Sequence, residues 1–262
     1  MGISGCVIMK KIKNYHTHTL FCGHGKGHPI DYVNIALKSN FEVLGFSEHA
    51  PIDIPAFYFT ISGNEDKYFN EVNELKEKVP NLTILCGLEV DYFEDFHYYY
   101  EELLKKYDYI SLSCHYTRYK TLYLDDYCSF RLKTIETVFE YKDILVNGMK
   151  SNYFSFVNHP DLFLTYPMDC YDIVTKEIVQ TAIECDLPLE LNLNQIRVKP
   201  HLYEKGALRY NFWKYVGTTN AKVIINFDAH LPEFLSSDLY YKTLELAKTL
   251  NLNIVDEIKK VK

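Results

Sequence analysis

Short runs rich in β-branched, aromatic and aliphatic residues recur along the chain, and nearly every one stops at a polar or ionisable group. They run from Lys11 to His16, Val43 to His49, Thr83 to Val90, Tyr109 to His115, Phe154 to His159, Pro188 to Asn194 and Lys222 to His230. Between them lie stretches suited to helices: Ile30 to Ser39, Glu65 to Lys78, Phe96 to Lys106, Phe130 to Asn147, Tyr171 to Cys185 and Leu208 to Tyr215. A last one, Ser237 to Leu250, spaces Leu239, Leu244, Leu246 and Leu250 with lysines between them, as a closing surface helix does. Strand and helix in alternation predict a parallel α/β sheet with helices outside it. An open doubly wound sheet uses the ends of only some strands. Here all seven end in plausible site residues, so a closed or nearly closed seven-stranded barrel with one mouth is expected.

No linker, internal repeat or low-complexity tract divides residues 1–262, which are read as a single domain. The longest connection, Pro51 to Asn64, carries Phe57, Tyr58 and Phe59 and is expected near the mouth.

The strand ends hold the chemistry. His16 and His18 form an HxH pair whose period of two turns both imidazoles to one face, so that they can reach one metal ion. His24, His49, Glu89, His115, His159, Asp228 and His230 fall at the same rim. Seven of the ten histidines of the chain are in this set, which makes a metal cluster a better reading than scattered core or surface imidazoles. Imidazoles and carboxylates without thiolates suit Zn²⁺, Mn²⁺ or Fe²⁺. Glu89 is the natural bridge because its two oxygens can bind two cations. Nine such residues can serve three ions, two of which can clamp a phosphoryl group and supply hydroxide near neutral pH. Arg197, then Arg118, are candidates to grip a phosphate ester, with Asn192, Asn194 and Gln195 as hydrogen-bonding groups nearby. His28, His97 and His201 stay outside the metal set, and Cys22, Cys86 and Cys114 are read as packing. Gly23, Gly25 and Gly27 spell neither a dinucleotide fingerprint nor a P-loop and are expected to fold the His24 loop back over the site.

The net charge of −7 argues against an extended nucleic-acid partner, which calls for a basic face. Seven cysteines, odd in number and without paired short spacings, point to a reducing compartment. The start lacks the order of a secretory signal, and no apolar stretch approaches the roughly 20 residues needed to span a membrane. A cytoplasmic location follows as an expectation. Oligomeric state is left open.

The motifs HTHTLFCGHG at 16–25, GFSEH at 45–49, GLEVD at 87–91, CH at 114–115, NHPD at 158–161 and FDAH at 227–230 resemble the PHP superfamily, and within it the histidinol-phosphate phosphatases of histidine biosynthesis. The resemblance covers roughly residues 12–235. It implies a distorted (β/α)₇ TIM-like barrel with a trinuclear metal centre, in which His16, His18, Glu89 and Asp228 surround one ion, Glu89, His115 and His159 a second, and His24, His49 and His230 a third. It further implies hydrolysis of L-histidinol phosphate to L-histidinol and inorganic phosphate by a metal-bound hydroxide. Glu89, Asp228 and Arg197 would be catalytic, and Arg197, Arg118, Asn194 and His201 would contact substrate. Glu48 stands where Asp is common, which bears on how His49 is oriented. Two readings compete: a phosphoesterase of the same superfamily acting on another ester or a nucleic-acid end, and a noncatalytic metal scaffold that binds a phosphorylated ligand.

Overall fold

The computed structural model describes residues 10–52, 60–116, 132 and 134–261. Four strands, β1 (Ile12–Asn14), β2 (Phe41–His49), β3 (Thr83–Asp91) and β4 (Tyr109–Ser113), form a parallel sheet in chain order. A second parallel sheet contains β5 (Leu189–Asn192), β6 (Lys222–Asn226) and β7 (Asn253–Ile254). Register sets the rim: His49 lies opposite Glu89, and Asp91 opposite Ser113.

The expected strand at 154–159 is not a regular one. Only Val157 makes ladder bridges, to Leu112 on one side and Leu189 on the other. Even so, Ser155 N donates to Ile110 O at 2.9 Å and Glu190 N to Val157 O at 2.9 Å, so the segment joins the two sheets. At the opposite seam a Thr17–Ala229 bridge is supplemented by side chains. Asn14 Oδ1 accepts from Phe227 N at 2.9 Å, and Asn226 Oδ1 accepts from Tyr15 N at 2.8 Å. The result is a curled, incompletely closed parallel sheet of the distorted (β/α)₇ kind, with residues 155–158 as the stave between β4 and β5 and the two-residue β7 pairing only the start of β6.

Helices α1 (Pro29–Lys38), α2 (Glu65–Lys78), α3 (His97–Lys106), α4 (Ile135–Lys150), α5 (Tyr171–Glu184), α7 (Leu208–Val216) and α8 (Ser237–Thr249) lie close to their expected spans. The start expected for α4, at Phe130, lies outside the described residues. A short helix, α6 (Leu193–Val198), corrects the strand expected to reach Asn194: the Asn192 side chain accepts from Gln195 N and caps a helix there. Strand β7 was not anticipated at all. Among the described residues no helix is long and apolar enough to cross a membrane.

Two apolar regions hold the barrel. The larger lies between sheet and helices, and the smaller, formed by Tyr15, Val43, Tyr109, Phe156 and Ile224, fills the barrel floor. Tyr109 reaches across this floor to donate to Tyr15 O at 2.6 Å and Phe46 O at 3.0 Å. Gly45 and Gly87 make room for it: a Cβ on Gly87 would lie 2.4 Å from the Tyr109 ring, and one on Gly45 2.5 Å from its hydroxyl. Beneath the floor runs the chain after β7. Val255 N donates to Val223 O at 2.9 Å, Asp256 O accepts from the Tyr15 hydroxyl, Ile258 packs on the inner cluster, and Lys259 N donates to Ser155 O at 3.0 Å.

Candidate metal centre

The period of two carries β3 from the floor at Leu85, past Gly87, to Glu89 and Asp91 at the mouth. The neighbouring strands deliver their last residues to the same place. His159 and Asp228 follow their strand segments in the left-handed region, with φ of 28° and 48°. Non-glycine residues are uncommon there, and such conformations cluster at functional sites. Each turn also ends its strand earlier than the sequence pattern suggested.

All nine expected ligands converge. Glu89 Oε2 is 3.3 Å from His16 Nε2, 3.1 Å from His18 Nε2 and 3.2 Å from His49 Nδ1. Its other oxygen is 2.9 Å from His159 Nε2 and 3.5 Å from His115 Nε2, and accepts from the Ser113 hydroxyl. Asp228 Oδ1 lies 3.5 Å from His16 Nε2 and 3.4 Å from His18 Nε2. His24 Nε2 and His230 Nε2 face each other at 2.6 Å, and the His49 ring stacks on those of His18 and His24.

Donor chemistry fits a cation. His16 Nε2 and His18 Nε2 are turned together at 3.0 Å, as are the His24 and His230 nitrogens, and two imidazole lone pairs cannot satisfy each other without a shared proton or metal. Ligand atoms from His16, His18 and Asp228, from His18, His49 and His230, and from His49, Glu89 and His115 each lie within 4.8 Å of one another. These clustered groups form a metal-binding site.

Carboxylates stand behind several imidazoles. Asp91 accepts from His115 at both its backbone N–H and Nδ1, the latter at 2.9 Å, and Glu190 accepts from His16 Nδ1 at 2.8 Å. Such partners fix the ring and its tautomer. Glu48 Oε1 accepts from Thr19 N at 2.7 Å, and its second oxygen faces His18 Nδ1 from 3.6 Å, beyond hydrogen-bonding distance. Burial opposes charge on His16, yet Glu190, Asp228 and Glu89 outweigh it and lift the ring to about 10. His115 is likewise raised to about 9, against burial, by Asp91 and Glu89. Burial, then the imidazolium of His18, holds His24 and His230 at about 4. The surrounding imidazoles overcome burial to keep Asp228 at about 2 and Glu89 well below the usual carboxylate range.

The residues expected to hold substrate divide. Asn194 Nδ2 is 3.4 Å from Asp228 Oδ2, and Arg197 donates to Asn194 Oδ1 at 2.7 Å while stacking on Phe234, with 3.6 Å from guanidinium carbon to ring centre. His201 sits exposed on a single 3₁₀ turn, and among the described residues no hydrogen bond or ion pair joins it to the cluster. Arg118 and the aromatics Phe57, Tyr58 and Phe59 lie outside the described residues. Gly23 and Gly27, both left-handed, shape the loop bearing His24, whose Lys26 N donates to His230 O at 2.9 Å. Sequence reasoning passed over Glu190, Ser113 and Asp91 as members of the site. The period of two in LELN placed Glu190 on the face of Asn192, and that was the available signal.

Comparison with known proteins agrees with this geometry. The PHP domain profile matches residues 14–194. A histidinol-phosphatase of Bacillus subtilis (strain 168) is 36% identical over 91 residues, 31% of this chain and 34% of that enzyme. A probable phosphatase of Caldanaerobacter subterraneus subsp. tengcongensis is 23% identical over 72% of this chain and 65% of its own length. The chain thus spans about a third and just under two thirds of these two curated relatives. In fold it is similar to the histidinol phosphate phosphatase of Lactococcus lactis subsp. lactis Il1403, solved with zinc, L-histidinol and phosphate: TM-score 0.77, 19% identity, 96% of this chain and 98% of that one covered.

Proposed function

Because the chain belongs to the PHP-domain family, we propose that it is a metal-dependent phosphomonoesterase that hydrolyses L-histidinol phosphate to L-histidinol and inorganic phosphate. The observation that carries this reading is the convergence of seven histidines, Glu89 and Asp228 at one barrel mouth. The near full-length likeness in fold to an enzyme solved with L-histidinol and phosphate supports the substrate. We read residues 1–262 as one domain.

The ligand set would hold three divalent ions, Zn²⁺, Mn²⁺ or Fe²⁺. His16, His18, Glu89 Oε2 and Asp228 suit one, and Glu89 Oε1, His115 and His159 a second, since the two oxygens already face those two groups of imidazoles. His24, His49 and His230 suit a third, with His49 close to Glu89 as well. Bound there, such ions polarise phosphoryl oxygens and lower the pKa of water towards neutrality.

The chain's own residues do the rest. Asn192 and Asn194 hold Asp228 Oδ2 from one side, at 3.1 and 3.4 Å, which aims Oδ1 at the histidines. Arg197, kept flat against Phe234 and tethered to Asn194, presents a planar fork suited to the nonbridging oxygens of a phosphate ester at the rim. Its charge opposes that building on those oxygens as the ester bond breaks.

Phosphate release tests the proposal. Protein loaded in turn with Mn²⁺, Zn²⁺ or Fe²⁺ should turn over L-histidinol phosphate with a kcat/KM at least about a hundredfold above other monoesters and a short oligonucleotide, about 2.7 kcal/mol of discrimination. Preference for another ester would remove the substrate and leave the metal centre. No turnover at full metal occupancy would leave a phosphorylated-ligand scaffold.

A further inference from the structure

We propose that Glu190 is the positioning residue of the metal centre, one buried carboxylate that sets the direction of three ligands at once. Its Oε1 accepts from His16 Nδ1 at 2.8 Å, and its Oε2 from His159 N at 2.9 Å and from Asn192 Nδ2 at 2.9 Å. Asn192 passes the constraint on, because the same amide donates to Asp228 Oδ2 at 3.1 Å. Ligands from three separate staves are thus referred to one side chain that is fully shielded from solvent.

Each contact does something different. A carboxylate only accepts, so His16 must carry its proton on Nδ1, which leaves the Nε2 lone pair facing His18, Glu89 and Asp228. The bond to His159 N anchors the residue whose backbone is left-handed. The Asn192 amide cannot flip, since its oxygen is committed to Gln195 N at 2.9 Å as the cap of α6. All three partners are therefore donors.

Glutamine at this position cannot serve them. With its amide nitrogen at the Oε1 site it donates towards His16 and drives the ring proton onto Nε2, the nitrogen the cluster needs free. With the nitrogen at the Oε2 site it meets two N–H groups. Aspartate keeps the charge but withdraws both oxygens by one methylene, so it separates geometry from charge. This inference rests on the metal site proposed above but not on its substrate, and cation binding is the readout.

The experiment titrates Mn²⁺ and Zn²⁺ alone, in competition with a chelator, into the purified wild-type chain, Glu190→Gln, Glu190→Asp and Gly87→Ala. Gly87→Ala sets a methyl against the Tyr109 ring in the barrel floor, removes no group from the mouth, and reports what destabilisation alone does. Both Glu190 variants should bind 10–100-fold more weakly, the range for lost partners of metal-bound histidines, while Gly87→Ala binds within about twofold of wild type. Wild-type affinity in Glu190→Asp would reduce the role to net charge and overturn the proposal. So would a Glu190 loss no larger than that of Gly87→Ala. If Glu190→Gln fails to fold, Glu190→Asp decides alone, and absence of binding by wild type would overturn the metal centre itself.

Discussion

The carboxylate of Glu89 meets five imidazoles, Oε2 facing His16, His18 and His49 and Oε1 facing His115 and His159. An amide replaces one of those oxygens with a donor, so Glu89→Gln should lower kcat by about 10³-fold or more, roughly 4 kcal/mol, and reduce bound metal per chain. Near wild-type turnover at full occupancy would refute a bridge. Arg197 works at the rim, where it stacks on Phe234 and reaches Asn194. Arg197→Ala should lower kcat/KM for a phosphate monoester by about 10- to 100-fold, about 1.4–2.7 kcal/mol, with metal content unchanged. An unchanged kcat/KM would take it out of the phosphate clamp. At this scale the imidazoles drew notice in the sequence because most of them stand at the ends of strand-like runs. Glu190 was not, since a glutamate inside a strand looks the same whether it meets His16 or a structural amide.

Most elements were legible because each has a period of its own. The span Glu65–Lys78 emerged with the bounds its pattern suggested, and β2, β3 and β6 begin within two residues of expectation. Where the reading failed, the cause was local to each element. Residues 154–159 join the two sheets through backbone hydrogen bonds but form ladder bridges only at Val157, Asn192 ends β5 by capping α6, and the two residues of β7 are too few to show any alternation. The floor offers a test of how the strands are held apart. In Gly87→Ala the new methyl meets the Tyr109 ring, which is itself pinned by bonds to Tyr15 O and Phe46 O. A loss of about 1–3 kcal/mol is expected, seen as an unfolding midpoint lower by about 2–4 °C for each kcal/mol in a chain of this size. An unshifted midpoint would mean that the floor yields more easily than its packing implies.

For the molecule as a whole, metal and protons compete to settle the mouth. Cations bind the assembled site and not the unfolded chain, so each site filled at a hundred times its Kd adds about 2.7 kcal/mol, and chelation should lower the thermal midpoint. The stripped protein has its own pH optimum. His24 and His230, held near 4 against a reference of 6.5, make the unfolded chain the better proton acceptor, so stability declines as pH falls from about 6.5 to about 4. His16 and His115, raised to about 10 and about 9, bind protons that the unfolded chain has already released, so stability also declines as pH rises above about 6.5. Urea midpoints of chelated protein should therefore peak near pH 6.5, and a steady rise through pH 9 would contradict the assignment. The strand-like chain after β7 bears on a different matter, the order of events during synthesis. Residues 255–259 tie together the lower ends of β1, β6 and the 155–158 stave, yet they leave the ribosome after all three. Until this segment docks the base of the barrel is unlaced, and Tyr15, Phe156 and Ile224 lack the cover that Ile258 gives them from below.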